Sequence, residues 1–257
     1  AQNVLHSEVT YTASTQRMLS GISLDDQLEA INRACAAAER DHGVTMSLTI
    51  DYPRHLDPEE FVGVAHWAVD NMTRGISALG LGGPEVGYPP ELFERAFAVA
   101  SEAGLPSVPH AGETEGAESI RGALRALDAV RIGHGVRCLE DPDLVAELRE
   151  RQIPLEVCPT SNVCLGVAPS FAEHPLPRLL DAGLYVTINS DDPPMFGTTL
   201  TDEYLKAATA FGFGAGEVRK LVLRAAEATL LPAEEKASLL ERVEKGFQTQ
   251  SKSAPLS

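Results

Sequence analysis

Cysteine is scarce in this chain, and the four present, Cys35, Cys138, Cys158 and Cys164, show neither C-x-x-C spacing nor the density of a disulfide scaffold. That pattern excludes a zinc ribbon and a small disulfide-stapled fold. Reduced thiols and a cytoplasmic location are expected. Basic residues are also few, 21 against 37 acidic ones, for a formal net charge of -16. Such a surface repels polyanions, so neither nucleic acid nor an anionic membrane is the expected partner; a small neutral or cationic substrate fits better. No apolar run approaches the roughly 20 residues that span a bilayer, and no basic region with a signal-like apolar segment opens the chain.

What is present is a regular alternation of short β-rich runs and amphipathic stretches. Strands are expected to start near Val4, Val44, Gly75, Pro106, Val130, Pro154 and Leu184. The helical stretches between them carry start and stop signals. Ser23, with Asp25 and Asp26 in the first turn, opens a helix that Gly43 ends after about His42. Asp57-Pro58 opens another, whose apolar face is Phe61, Val64, Ala65 and Ala68. Further helices are expected from Pro89 to about Ala103, Glu118 to Leu127, Asp141 to Arg151 and Leu176 to Ala182, then from about Thr201, Ala215 and Pro232. Only the tail, residues 249–257, reads as disordered, leaving residues 1–248 as a single domain.

Strict strand–helix alternation implies a parallel sheet, and the spacing of the units suits a (β/α)8 barrel, in which reactive groups project from the C-terminal ends of the strands. A doubly wound open sheet is the rival, but it usually carries a glycine-rich phosphate loop after its first strand. Leu81-Gly82-Gly83-Pro84 is no such loop, because proline follows the glycines and no helix starts there. The chain offers seven strands, one fewer than a closed barrel needs.

Four expected strand ends carry reactive groups: His110-Ala111-Gly112-Glu113, Ile132-Gly133-His134-Gly135, Cys158-Pro159-Thr160-Ser161-Asn162 and Asn189-Ser190-Asp191-Asp192-Pro193. Imidazole and carboxylate are both zinc ligands, so His110 and Asp191 are candidate members of a metal shell; a lone strand-end histidine equally reads as a hydrogen-bonded structural residue. On an extended segment neighbouring side chains point to opposite sides, so Asp191 and Asp192 are expected to take different tasks. His134, between two glycines, has the open surroundings a general base needs, although a glycine turn with an incidental histidine is the plain alternative. Glu113 is the candidate acid, since a desolvated carboxyl keeps its proton near neutral pH. Cys158 reads as a buried structural thiol, Ser161 and Asn162 as loop caps, and His174 as having no role in the site.

Together these four motifs resemble the adenosine deaminase family of the amidohydrolase superfamily, through nearly the whole chain. The resemblance implies a TIM-type (β/α)8 barrel holding one zinc ion, which activates the water that attacks C6 of a 6-aminopurine with release of ammonia. It implies that His110 and Asp191 are zinc ligands, that Glu113 protonates the purine N1, and that His134 orients and deprotonates the water. Asp192 then accepts a hydrogen bond from N7–H, and the backbone N–H of Gly83, in the Gly82–Gly87 turn, faces N3. All five lysines, Lys206, Lys220, Lys236, Lys245 and Lys252, follow the last expected strand, so the bridging strand-end lysine of a two-metal amidohydrolase is absent.

One departure stands out. The family's first strand ends in His-x-His, which supplies two further zinc ligands, and this chain has no His-x-His. The first βα unit of the family pattern is therefore expected to be absent from the sequence, and two metal ligands are one short of the minimum for a catalytic zinc. The expected function is a zinc-dependent hydrolytic deaminase of adenosine type. The alternatives are a 6-aminodeoxyfutalosine deaminase, an adenine deaminase, or a metal-free purine-binding relative without activity. A homo-oligomer is compatible with the sequence, but nothing in it reads the oligomeric state.

Overall fold

The structure, a computed structural model, describes residues 2–253. They form two compact units, one of residues 3–147 and the other of residue 2 with residues 148 onward. The disordered tail expected from Thr249 overlaps the helix Ala233–Ser253, and residues 254–257 lie outside the described residues.

The first unit contains five strands, β1 (His6–Tyr11), β2 (Thr45–Ile50), β3 (Ile76–Leu81), β4 (Ser107–Ala111) and β5 (Ile132–His134). They pair in sequence order, all parallel, so the expected strand–helix alternation is borne out. Helices Leu24–His42, Pro58–Asp70, Glu94–Glu102 and Ala117–Ala126 follow successive strands. Local chemistry sets their ends. The Ser23 side chain accepts from the amide of Asp26, and Gly43 closes the helix in the left-handed region at φ 66°. Asp57 accepts from the amide of Glu59 ahead of Pro58. The helix expected from Pro89 begins instead as a 3-10 turn, Pro90–Phe93, which leads into the helix Glu94–Glu102.

The helix Pro58–Asp70 buries Phe61, Val64, Ala65 and Ala68, the face expected from its periodicity. Phe61 is the hub: its ring stacks on Tyr52 at 4.6 Å and meets the edges of Phe93 and Phe97 at 6.2 and 5.7 Å. In a chain with 5% aromatics, this cluster gathers four of them, each stabilising by about 1.5–3 kcal/mol on burial. Not expected was the helix Ala13–Ser20, which lacks a side-chain cap at Thr12 and so carried no start signal.

The second unit holds β6 (Leu155–Val157) and β7 (Val186–Ile188), parallel and fully in register. The helix Ala215–Ala228 packs on β7, and Arg224 fixes the approach by stacking on Tyr185, at 5.6 Å, while donating to the Leu184 carbonyl. The segment expected as a cap-bearing loop, Cys158–Asn162, is mostly helix: Pro159–Cys164 begins with proline in its first turn.

Candidate active site

In the first unit two strand ends converge through the sheet register. Ala111 of β4 pairs with His134 of β5, and His110 pairs with Gly133. A Cβ on Gly133 would lie 3.1 Å from both Cα and Cγ of His110, a tight contact that glycine avoids where β5 approaches β4. As a result the imidazoles of His110 and His134 have their centroids 5.2 Å apart. His134 takes φ 62° and Gly135 φ 67°, two successive left-handed residues that turn the chain just after the strand. For histidine that conformation costs on the order of 1–3 kcal/mol, a strain typical of functional sites.

His134 is buried, 2% exposed. Burial, reinforced by the neighbouring His110 and opposed by Glu85, pulls its pKa down to about 3, so the ring is neutral at physiological pH. Its Nδ1 lies 3.5 Å from Oε1 of Glu113. His110 is half-buried, and its Nδ1 is a buried nitrogen with no hydrogen-bond partner among the described residues. Two backbone clamps hold this corner. Fully buried Arg54 donates through Nη2 to the His110 carbonyl and through Nη1 to that of Tyr88, both at 2.6 Å. The loop after β4 continues the ladder, with the amides of Gly135 and Arg137 donating to the carbonyls of Ala111 and Gly112.

Gly83 sits exposed in the turn after β3 at φ 81°. Two residues on, Glu85 is 3% exposed and turned inward. Its Oε1 accepts from the amides of Glu113 and Thr114 at 2.8 Å, and its Oε2 accepts from the amide of Gly112 at 2.8 Å and the hydroxyl of Ser119 at 2.5 Å. Burial alone would raise this carboxyl's pKa, but the hydrogen bonds from Ser119, Thr114, Gly112 and Glu113 prevail and hold it below the usual range.

In the second unit the acidic pair lies beyond the strand, since β7 ends at Ile188. Strand alternation therefore does not separate Asp191 from Asp192. Asp191 is left-handed at φ 52°, and Asp192 follows at φ -99°. Both acids are exposed in this chain. Ser161, on the helix Pro159–Cys164, donates its hydroxyl to Asp191 Oδ2 at 2.6 Å. That helix is pinned at its start by fully buried Glu203, which accepts from the Thr160 amide and the Thr198 hydroxyl, while Lys206 donates to both threonine hydroxyls. Lys206 is thus committed to a structural bridge. Asn162 meets His174, at 3.2 Å, and His174 also accepts from the Leu176 amide; burial pulls its pKa down to about 4, as suits a neutral packing residue.

The structure brings His110, Glu113 and His134 together in the first unit, with Gly83 on the neighbouring turn; Asp191 and Asp192 belong to the second. Sequence reasoning missed Glu85, Arg54 and Glu203, all fully or almost fully buried charges. For Glu85 and Arg54 the one available signal was a charged residue directly after a proline, Pro84 or Pro53, which by itself reads as surface; Glu203, inside a helix, offered none.

A family model described as adenosine deaminase matches residues 1–246. The chain belongs to the adenosine deaminase family. An aminodeoxyfutalosine deaminase of Streptomyces coelicolor is 42% identical over 247 residues, 95% of this chain and 63% of that protein. The chain thus spans less than two thirds of that relative's length. Among solved structures, an adenine deaminase from Arthrobacter aurescens matches with TM-score 0.90 and 35% identity, over 96% of this chain and 75% of its own. An amidohydrolase from Burkhoderia ambifaria with bound Zn matches with TM-score 0.91 and 27% identity, over 97% and 70% respectively. The fold class is accordingly α/β, of the amidohydrolase barrel type, with seven strands among the described residues of this adenosine deaminase family chain. No helix among the described residues is long and apolar enough to cross a membrane.

Proposed function

We propose that the intact protein is a zinc-dependent hydrolytic deaminase of a 6-aminopurine, with 6-aminodeoxyfutalosine as the first substrate to test and adenine as the second. The observation that carries this reading is the cluster of His110, Glu113 and His134 at adjoining strand ends in a chain of this family. The order of substrates follows the relatives: the aminodeoxyfutalosine deaminase is 42% identical over 95% of this chain, and an adenine deaminase of Rhizobium rhizogenes is 42% identical over 87% of it. Adenosine, the nucleoside that the sequence motifs first suggest, ranks after both.

The donor set fits a zinc ion. His110 has a buried ring nitrogen without a partner, and the Ser161 hydroxyl orients the Asp191 carboxylate, as an outer partner orients a ligand. In this reading His110 and Asp191 hold the metal, together with two histidines from the family's first βα unit. When bound, zinc lowers the pKa of a water toward neutrality. Neutral His134 accepts the proton of the attacking water. Glu113, 3.5 Å from His134, donates a proton to N1, which draws electrons from C6 and makes it the electrophile. Asp192 accepts from N7–H, and the Gly83 amide faces N3. Water adds at C6, the amino group leaves as ammonia, and the ring keeps the oxygen as a 6-oxopurine.

The test is ammonia release by the intact, zinc-loaded protein with 6-aminodeoxyfutalosine, adenine and adenosine in turn, repeated after chelation. Chelator-sensitive turnover of a 6-aminopurine is expected; no turnover of any of the three by fully zinc-loaded protein contradicts the reading.

A further inference from the structure

The loop that follows β4 has an unusual construction. Four consecutive amides, those of Gly112, Glu113, Thr114 and Glu115, converge on a single carboxylate, Glu85, at 2.8, 2.8, 2.8 and 3.4 Å. The hydroxyls of Thr114 and Ser119 complete the shell at 3.4 and 2.5 Å. Consecutive amides aimed at one point form a concave nest whose partial positive charges repel one another unless an anion fills it. Here the anion is built into the fold, 27 or more residues away in sequence. Gly112 makes the nest possible by turning left-handed at φ 71°, where a Cβ would sit 2.3 Å from Ile120.

The geometry points to Glu85 as the positioning residue of Glu113, the side chain that sets where the proton donor stands relative to the purine; this rests on the reading of Glu113 as that donor. Because the Glu113 amide itself is held by Glu85, the direction in which its side chain leaves the backbone is fixed by the buried carboxylate. Arg54 is the counterweight on the other side of the same corner, gripping the carbonyls of His110 and Tyr88. Glu85 touches no reacting atom in this scheme and acts only through the loop.

The experiment compares Glu85→Gln, Ser119→Ala and Glu113→Gln in the intact protein. Glu85→Gln keeps the shape but turns one acceptor into a donor facing amides. The expected result is a fall in kcat of about 10–100-fold, the usual cost of a displaced catalytic group, with KM within about threefold and zinc content unchanged. Amide hydrogen exchange of residues 113–115 should quicken by about tenfold while that of β4 stays constant. Ser119→Ala, a smaller change that keeps the carboxylate, should quicken the same amides by a lesser factor, so the inference is still read if Glu85→Gln does not fold. Unaltered exchange at 113–115 in either folded variant, or a Glu85→Gln enzyme with unaltered kcat, overturns the positioning role. Glu113→Gln separates the two claims: its full activity overturns the reading of Glu113 as proton donor, whereas its inactivity beside an unaltered Glu85→Gln enzyme overturns the role of Glu85 alone.

Discussion

The Ser161 hydroxyl donates to Oδ2 of Asp191 at 2.6 Å, so one of the two oxygens of the proposed metal-binding carboxylate is already spoken for. The donor belongs to a different element, the helix Pro159–Cys164. Removing the hydroxyl with Ser161→Ala should weaken zinc binding by about 10–100-fold, the range typical for loss of a ligand's outer partner. Competition against a chelator on the intact protein checks this.

Asp191 and Asp192 are neighbours with different backbones, φ 52° against φ -99°. Asp191→Ala should abolish stoichiometric zinc binding, while Asp192→Ala should retain one zinc per chain and raise KM for the 6-aminopurine. Metal analysis beside steady-state kinetics distinguishes them; equal zinc loss in both variants contradicts the division of labour.

Gly133→Ala places a methyl 3.1 Å from Cα and Cγ of His110, where backbone leaves little room to yield. The expected cost is about 1–3 kcal/mol of stability, as for overpacking. Urea unfolding measures it, and loss of activity should accompany it because the spacing of His110 and His134 depends on this contact.

His174 gives a pH dependence with a definite sign. Its folded pKa, pulled down by burial to about 4, lies below the ordinary 6.5, so between these values the unfolded chain binds the proton and the folded one does not. Stability contributed by the neutral ring is present above pH 6.5 and is lost as pH falls toward 4, by about 1.4 kcal/mol per unit. In His174→Gln the decline of urea midpoints between pH 7 and pH 4.5, taken as about the ends of this window, should be shallower than in the wild type. An identical decline in both counts against the assignment.

Much of the fold was legible because its signals are local. Ser23 and Gly43 bracket a helix through hydrogen bonds within one turn, and the spacing of Phe61, Val64, Ala65 and Ala68 names the buried face directly. The helices Ala13–Ser20 and Pro159–Cys164 were hidden for the opposite reason: neither has a side-chain cap, and each is held by tertiary contacts such as that of Glu203 with the Thr160 amide. His110, Glu113 and His134 could be picked out from their strand-end positions. Glu85 and Arg54 could not, since their partners are backbone amides and carbonyls far along the chain, which leave no mark on residue type. The acidic pair was read from strand alternation, but β7 ends at Ile188, and the two residues follow it with Asp191 left-handed at φ 52°.

The central claim, hydrolysis at C6 by residues of this chain, is tested most directly by carrying out the reaction of the intact, zinc-loaded protein in water enriched in oxygen-18. The account predicts one ammonia released per 6-oxopurine formed, with the label at the 6-oxo position of the product. Recovery of the 6-aminopurine unchanged, or ammonia release with no label at C6, would contradict it.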